Sequence, residues 1–335
     1  TISSGTGGVT FANTVGAGIG LSSLTVTTDV LTAGDITLAT GGALSVTNSG
    51  ASEITGVVVG TGVTLTKAGS GTLTLSGDNS YTGVTTINAG TLKLNHVNAL
   101  GASGSNSATL VTAGGALDLS NLTVGETVNV SGGRILNGVL SGPINLTADS
   151  TFEAGSGESV TMNGEITGSY AITLSGGGTF TLGGNNASFT GNTTLSSGTL
   201  RITHANALGN GSGTTTISSG ATLDLVGVNV TSGNLVLNGA TLKDTPSTWG
   251  GSITLVGNTT FDIGAGDTLY VSGVVSGTGT ITKVGGGTLS MSRVNDYTGA
   301  TTVSAGTLAL TGSGSIATSA KLVANGTFDI SATTS

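Results

Sequence analysis

Cysteine is absent from the 335 residues, which removes disulfides, thiolate nucleophiles and Cys-ligated metals together. That absence fits a chain which crosses an oxidising compartment on its way out of the cell. Proline occurs only as Pro143 and Pro246, so no proline-rich linker divides the chain. Charged residues make up 7% of the sequence, where an ordinary soluble domain carries about a quarter. The eight Lys and Arg are scattered singly from Lys67 to Lys321 against sixteen Asp and Glu, for a net charge of −8. With no basic stripe to neutralise phosphate or anionic lipid, neither nucleic acid nor a membrane surface is an expected partner. No apolar run approaches the roughly 18 residues of a membrane helix, so no direct membrane insertion is expected of this segment.

What remains is Gly, Thr, Ser, Asn and short aliphatic bursts, and it repeats. Gly71-Thr-Leu-Thr-Leu, Tyr81-Thr-Gly-Val-Thr-Thr-Ile and Ala89-Gly-Thr-Leu-Lys-Leu94 return as Gly178-Thr-Phe-Thr-Leu, Phe189-Thr-Gly-Asn-Thr-Thr-Leu and Ser197-Gly-Thr-Leu-Arg-Ile202. They return again as Gly287-Thr-Leu-Ser-Met, Tyr297-Thr-Gly-Ala-Thr-Thr-Val and Ala305-Gly-Thr-Leu-Ala-Leu310. Gly83, Gly191 and Gly299 stand 108 residues apart, which means units stacked in register. Leu117-Asp-Leu, Leu223-Asp-Leu and Phe328-Asp-Ile recur at slightly shorter intervals. The insertions responsible belong in turns, because a one-residue slip inside a strand would invert its faces.

Apolar residues alternate with Thr or Ser in bursts such as Val63-Thr-Leu65, Leu73-Thr-Leu75, Ile172-Thr-Leu174 and Ile253-Thr-Leu255, each bounded by Gly or Asn turn chemistry. β-Branched residues dominate and no stretch shows helical spacing, so the expected class is all-β. Strands this short bury enough only if each turn of chain stacks on the one before it. The expected fold is therefore a single-stranded parallel β-helix, a β-solenoid of about 15 coils with about 20 to 25 residues in each. One continuous solenoid is expected over 1–335, with super-repeats near 1–110, 111–218 and 219–335.

The Gly-Gly-Thr-Leu-x-Leu, x-Asn-x-Tyr-Thr-Gly-x-Thr-Thr-Val/Ile and Ala-Gly-Thr-Leu-x-Leu segments resemble the passenger-associated transport repeat of bacterial autotransporters. The resemblance covers 69–94, 176–202 and 285–310. It implies a β-helical passenger stalk on an outer bacterial surface, in a family whose roles include adhesion and aggregation. Asn-Ala-Leu-Gly after His96-Val and after His204-Ala is similar to the tail that follows this repeat.

Candidate sites are few. Tyr81, Phe189 and Tyr297 could stack sugar rings, but an aromatic at a fixed place in each unit more simply packs a coil corner beside Gly83, Gly191 and Gly299. Asn79, Asn186 and Asn295 would then bond the turning backbone. His96 and His204, 108 residues apart, are too distant to share an ion and are expected to cap turns. Glu153, Glu158 and Glu165 form the densest acidic group, with Asp262 and Asp267 echoing the first two. That duplication argues against the single cluster a polysaccharide-cleaving β-helix needs. Glu158 and Asp267 are weak Ca²⁺ candidates at Gly-x-Gly-acid turns. No catalytic residue and no cofactor is assigned. Trp249, in Pro246-Ser-Thr-Trp-Gly-Gly, breaks the repeat style and is expected on a surface loop, where it would be the binding candidate.

The expected function is a non-enzymatic cell-surface or extracellular protein, an adhesin-type passenger stalk in contact with host-surface or matrix glycans or proteins. The alternative is a fibre subunit that self-associates end to end through uncapped solenoid ends, or side by side. A polysaccharide-active enzyme ranks last.

Overall fold

The computed structural model describes residues 1–102 and 107–334, and among these there are strands and turns but no helix. The chain forms two compact units, Thr1–Glu153 with Ser159–Glu165, and Ala154–Glu158 with Ile166–Ser335. Each unit is a parallel β-solenoid, and the chain makes about 16 turns.

In the first unit, one ladder of parallel strands runs through Ile2–Ser3, Leu21–Thr28, Ile36–Asn48, Thr64–Ala68, Thr85–Ile87, Thr109–Thr112, Val128–Ser131 and Ile144–Ala148. A second runs from Val9–Phe11 through Thr72–Leu75, Gly90–Leu94 and Gly115–Asp118 to Ser150–Glu153. The alternation of Leu with Thr decides which side chains meet. Leu73, Leu92, Leu117, Ile135 and Phe152 are successive register partners, and all five are fully buried. Each contributes roughly 1.5–3 kcal/mol by leaving water.

The second unit has three ladders. They begin at Ile172–Ser175, at Thr179–Leu182 and at Asn229–Val230. The middle one carries the inward column Phe180, Leu200, Leu223, Leu242, Phe261 and Lys283, each fully buried. Its outward column is threonine over seven rungs before Val323: Thr179, Thr199, Thr222, Thr241, Thr260, Thr282 and Thr302 are consecutive partners. β-Branched side chains suit a pleated, half-buried position, which is what each of these seven occupies.

Coil length varies more than expected. Asn129 and Asn145 bond each other across adjacent rungs 16 residues apart, while Thr112 reaches Ile87 across 25. The expectation that insertions keep to turns is corrected: the register also shifts inside strands, between Leu21 and Ser23, between Val130 and Ser131 and between Ala309 and Thr311, where a bulge takes up the extra residues.

Candidate functional site

The coil corners are built first by three asparagines. Asn79 Oδ1 accepts the N–H of Val58 at 2.7 Å and its Nδ2 donates to the Ala99 carbonyl at 2.6 Å. Asn186 does the same between Ile166 and Ala207, at 2.8 and 2.7 Å. Asn295 accepts from Val275 at 2.9 Å and donates to Ser315 at 3.0 Å. Each amide thus ties its own coil to the one before and the one after. All three are buried, where an unbonded amide would be costly.

Tyr81, Phe189 and Tyr297 pack inward at these corners with at most 2% of their surface exposed, and so present no ring to a ligand. The Tyr81 hydroxyl lies 2.7 Å from Thr85 Oγ1 and that of Tyr297 lies 2.5 Å from Thr301 Oγ1. Burial pushes both phenols upward, that of Tyr81 well above its ordinary range. Gly83, Gly191 and Gly299 stand where the chain presses on the preceding coil: a Cβ there would strike the carbonyl oxygen of Val63, Tyr170 or Gly279. Close approach, rather than an unusual φ, is what requires glycine at these corners.

Two cations lie where sequence analysis overlooked them. Lys67 and Lys283 are fully buried. Lys67 Nζ donates to the carbonyls of Ala68, Gly69 and Ala89 at 2.7, 2.9 and 3.1 Å. Lys283 Nζ donates to Val284, Gly285 and Ala305 at 2.6, 2.9 and 3.4 Å. Burial pulls the Lys67 ammonium down to about 8 and lowers that of Lys283 as well, the latter against the attraction of Asp262. In the middle repeat the equivalent inward position is Leu174, which pairs with Leu195 as Lys67 pairs with Ile87. The parity of Leu65-Thr-Lys67 and Ile281-Thr-Lys283 carried the signal: in an alternating strand, both lysines fall on the inward side.

Two further buried acids have no cationic partner among the described residues. Glu126 accepts a hydrogen bond from Thr109 Oγ1, and burial raises its carboxyl to about 8. It lines a cavity of about 530 Å³ with Asp78, Asn79, Val97, Asn98 and Thr123. Asp78 is engaged there by Asn98 Nδ2 at 2.8 Å. Asp244, beside Ser247, is raised by burial to about 7. A shallower groove of about 210 Å³ is walled by Pro246, Asn229, Thr248 and the half-exposed Tyr270.

The remaining candidates resolve locally. His96 Nδ1 accepts the Asn98 N–H at 3.2 Å and His204 Nδ1 accepts that of Asn206 at 3.1 Å, so both close the same turn. Glu158 Oε2 accepts the Gly155 N–H at 2.8 Å, and the Asp267 N–H donates to Gly264 at 3.1 Å. Glu153 is held by Arg134 at 2.8 Å. Among the described residues no three His, Cys, Asp or Glu side chains converge as metal ligands. The expected surface position of Trp249 is corrected: it ends the strand Ser247–Trp249, is 1% exposed, and pairs with Val230 and Val271 inside the solenoid. Its indole therefore packs the core and offers no contact surface.

The geometry amounts to closed corners, a caged ammonium and outward faces of small hydroxyls, with no nucleophile and base brought together at the sites described. Residues 65–94, 172–202 and 281–310 match the family model of the passenger-associated-transport-repeat. These segments are passenger-associated transport repeats. Within each, the corner Asn, the buried aromatic and the close-packed glycine recur as one structural unit. The chain is similar to the adhesin BmaC autotransporter of Brucella suis biovar 1, with 34% identity over 201 residues. That match covers 55% of this chain and 5% of the much longer relative. No solved structure matches the chain. The transport repeats and the autotransporter relative place the chain at a bacterial cell surface or outside the cell.

Proposed function

We propose that this segment is a non-enzymatic adhesin-type passenger stalk that makes contact with host-surface or matrix glycans or proteins through its outward faces. The observation that carries the reading is the division of labour in the ladders. The inward columns and corners take up most of the aromatics, the corner amides and two lysines, and leave outward a regular surface of hydroxyls such as the threonine column from Thr179 to Thr302. Such a surface makes many weak polar contacts and catalyses nothing. An adhesin among its relatives supports the same reading.

The purified chain should bind immobilised matrix glycoproteins or glycans and should compete with attachment of bacteria that display it. A chain that binds none of these surfaces, or one that releases reducing ends from a polysaccharide panel, overturns the proposal.

A further inference from the structure

Next to the threonine column, two residues along each strand, lies a second outward column. Thr181, Arg201, Asp224, Lys243, Asp262 and Val284 are consecutive register partners in the second unit. Four adjacent rungs therefore read plus, minus, plus, minus, with neutral residues at either end. Within the chain, Arg201 pairs with Asp224 at 3.6 Å and Lys243 with Asp262 at 3.9 Å. All four remain open to solvent, with side-chain exposures of 48, 26, 52 and 38%. In a sequence with 7% charged residues, four in consecutive register form a strong local pattern.

That order is self-complementary in one orientation. A two-fold axis lying in the plane of the interface, running along the strands midway between the Asp224 and Lys243 rungs, sets Arg201 against Asp262 of a second copy and Asp224 against its Lys243, giving four opposite-charge pairs. A parallel arrangement in register sets like against like. A parallel arrangement slipped by one rung satisfies three and leaves both ends open. Rungs about 4.8 Å apart in both copies keep the four pairs aligned. The neighbouring Thr199, Thr222, Thr241 and Thr260 are small and uniform, so two such faces can approach closely.

We infer that this face docks a second copy of the chain, antiparallel and side by side, with the Arg201–Asp262 ladder setting the register. The inference goes beyond the adhesive reading and stands if contact with host surfaces fails, because it concerns only the purified chain. Exposed ion pairs add little affinity singly, so the charges select orientation while the threonine face supplies contact area. The association is consequently weak and sensitive to salt, since the screening length falls to about 3 Å in 1 M salt.

Sedimentation velocity over a range of concentration at low salt should show a dimer that dissociates at high salt. Arg201→Glu with Lys243→Glu makes the ladder wholly acidic, and Asp224→Lys with Asp262→Lys makes it wholly basic. Each double variant alone should dimerise at least about tenfold more weakly than the parent, and an equimolar mixture should restore the dimer. Reversing all four signs preserves the alternation and should restore self-association, which separates loss of register from loss of fold. A parent chain that stays monomeric throughout, double variants that dimerise like the parent, or a mixture that does not recover overturns the inference. Open-ended oligomers in place of a closed dimer would overturn the inference, because one face pairing with itself is used up in a dimer.

Discussion

Lys67 Nζ donates to the Ala89 carbonyl oxygen 3.1 Å away, tying one coil to the next from inside the core. With Ala68 and Gly69 also bonded, the ammonium satisfies three backbone acceptors. Lys67→Met keeps the length of the side chain but strands those carbonyls, and should lower stability by about 1–3 kcal/mol in urea unfolding at neutral pH. A rise in stability instead would show that the buried charge outweighs its bonds, as it does for some buried ion pairs.

Asn79 is the sharper test of the corners. Asn79→Ala leaves the N–H of Val58 and the carbonyl of Ala99 without their partner, at about 1–3 kcal/mol for each buried group. Asn79→Asp keeps the acceptor but loses the donor and buries a charge, so it should unfold at lower urea than the alanine variant at pH 8. If Asn79→Ala unfolds with the parent, the amide does not tie the coils.

The chain should be more stable at pH 5 than at pH 8.5. Glu126 and Asp244 have folded-state values of about 8 and about 7, above the ordinary carboxylate range that holds in the unfolded chain. The folded form therefore keeps two protons that the unfolded form releases, and its advantage drains away as pH climbs through the folded values. Glu126→Gln and Asp244→Asn should each flatten the fall in urea midpoint across that window. An unchanged slope in both would place these carboxyls in water.

Trp249 is the single tryptophan and is 1% exposed, so the second unit carries its own reporter. Native emission should be blue-shifted and resistant to acrylamide, moving to the red on unfolding. Trp249→Ala should destabilise by about 3–5 kcal/mol. Red-shifted, readily quenched emission in the native protein would return the indole to the surface.

Trp249 also marks where the sequence stopped being legible. The 108-residue spacing and the Leu-Thr-Leu alternation carried the solenoid, because period and parity are all that stacked rungs require. Pro246 and Gly250-Gly251 around Trp249 read as loop chemistry, yet Ser247-Thr-Trp249 alternates like any other rung, and parity prevails over its flanks. The same parity turns Lys67 inward against the habit of lysine. The charge ladder was beyond reach for another reason. Arg201, Asp224, Lys243 and Asp262 are spaced 23, 19 and 19 residues apart, so only the observed register aligns them.

The strict alternation within each rung has an evolutionary consequence. Residues such as Leu200, Leu223, Leu242 and Phe261 keep the fold, while their neighbours Arg201, Asp224, Lys243 and Asp262 face outward and bear little of that burden. The outer column can therefore drift one rung at a time, like letters changed on a fixed ruled line. Selection for a new contact can write a different string of charges or hydroxyls there while the inner column stays untouched, so recognition can diversify far faster than architecture.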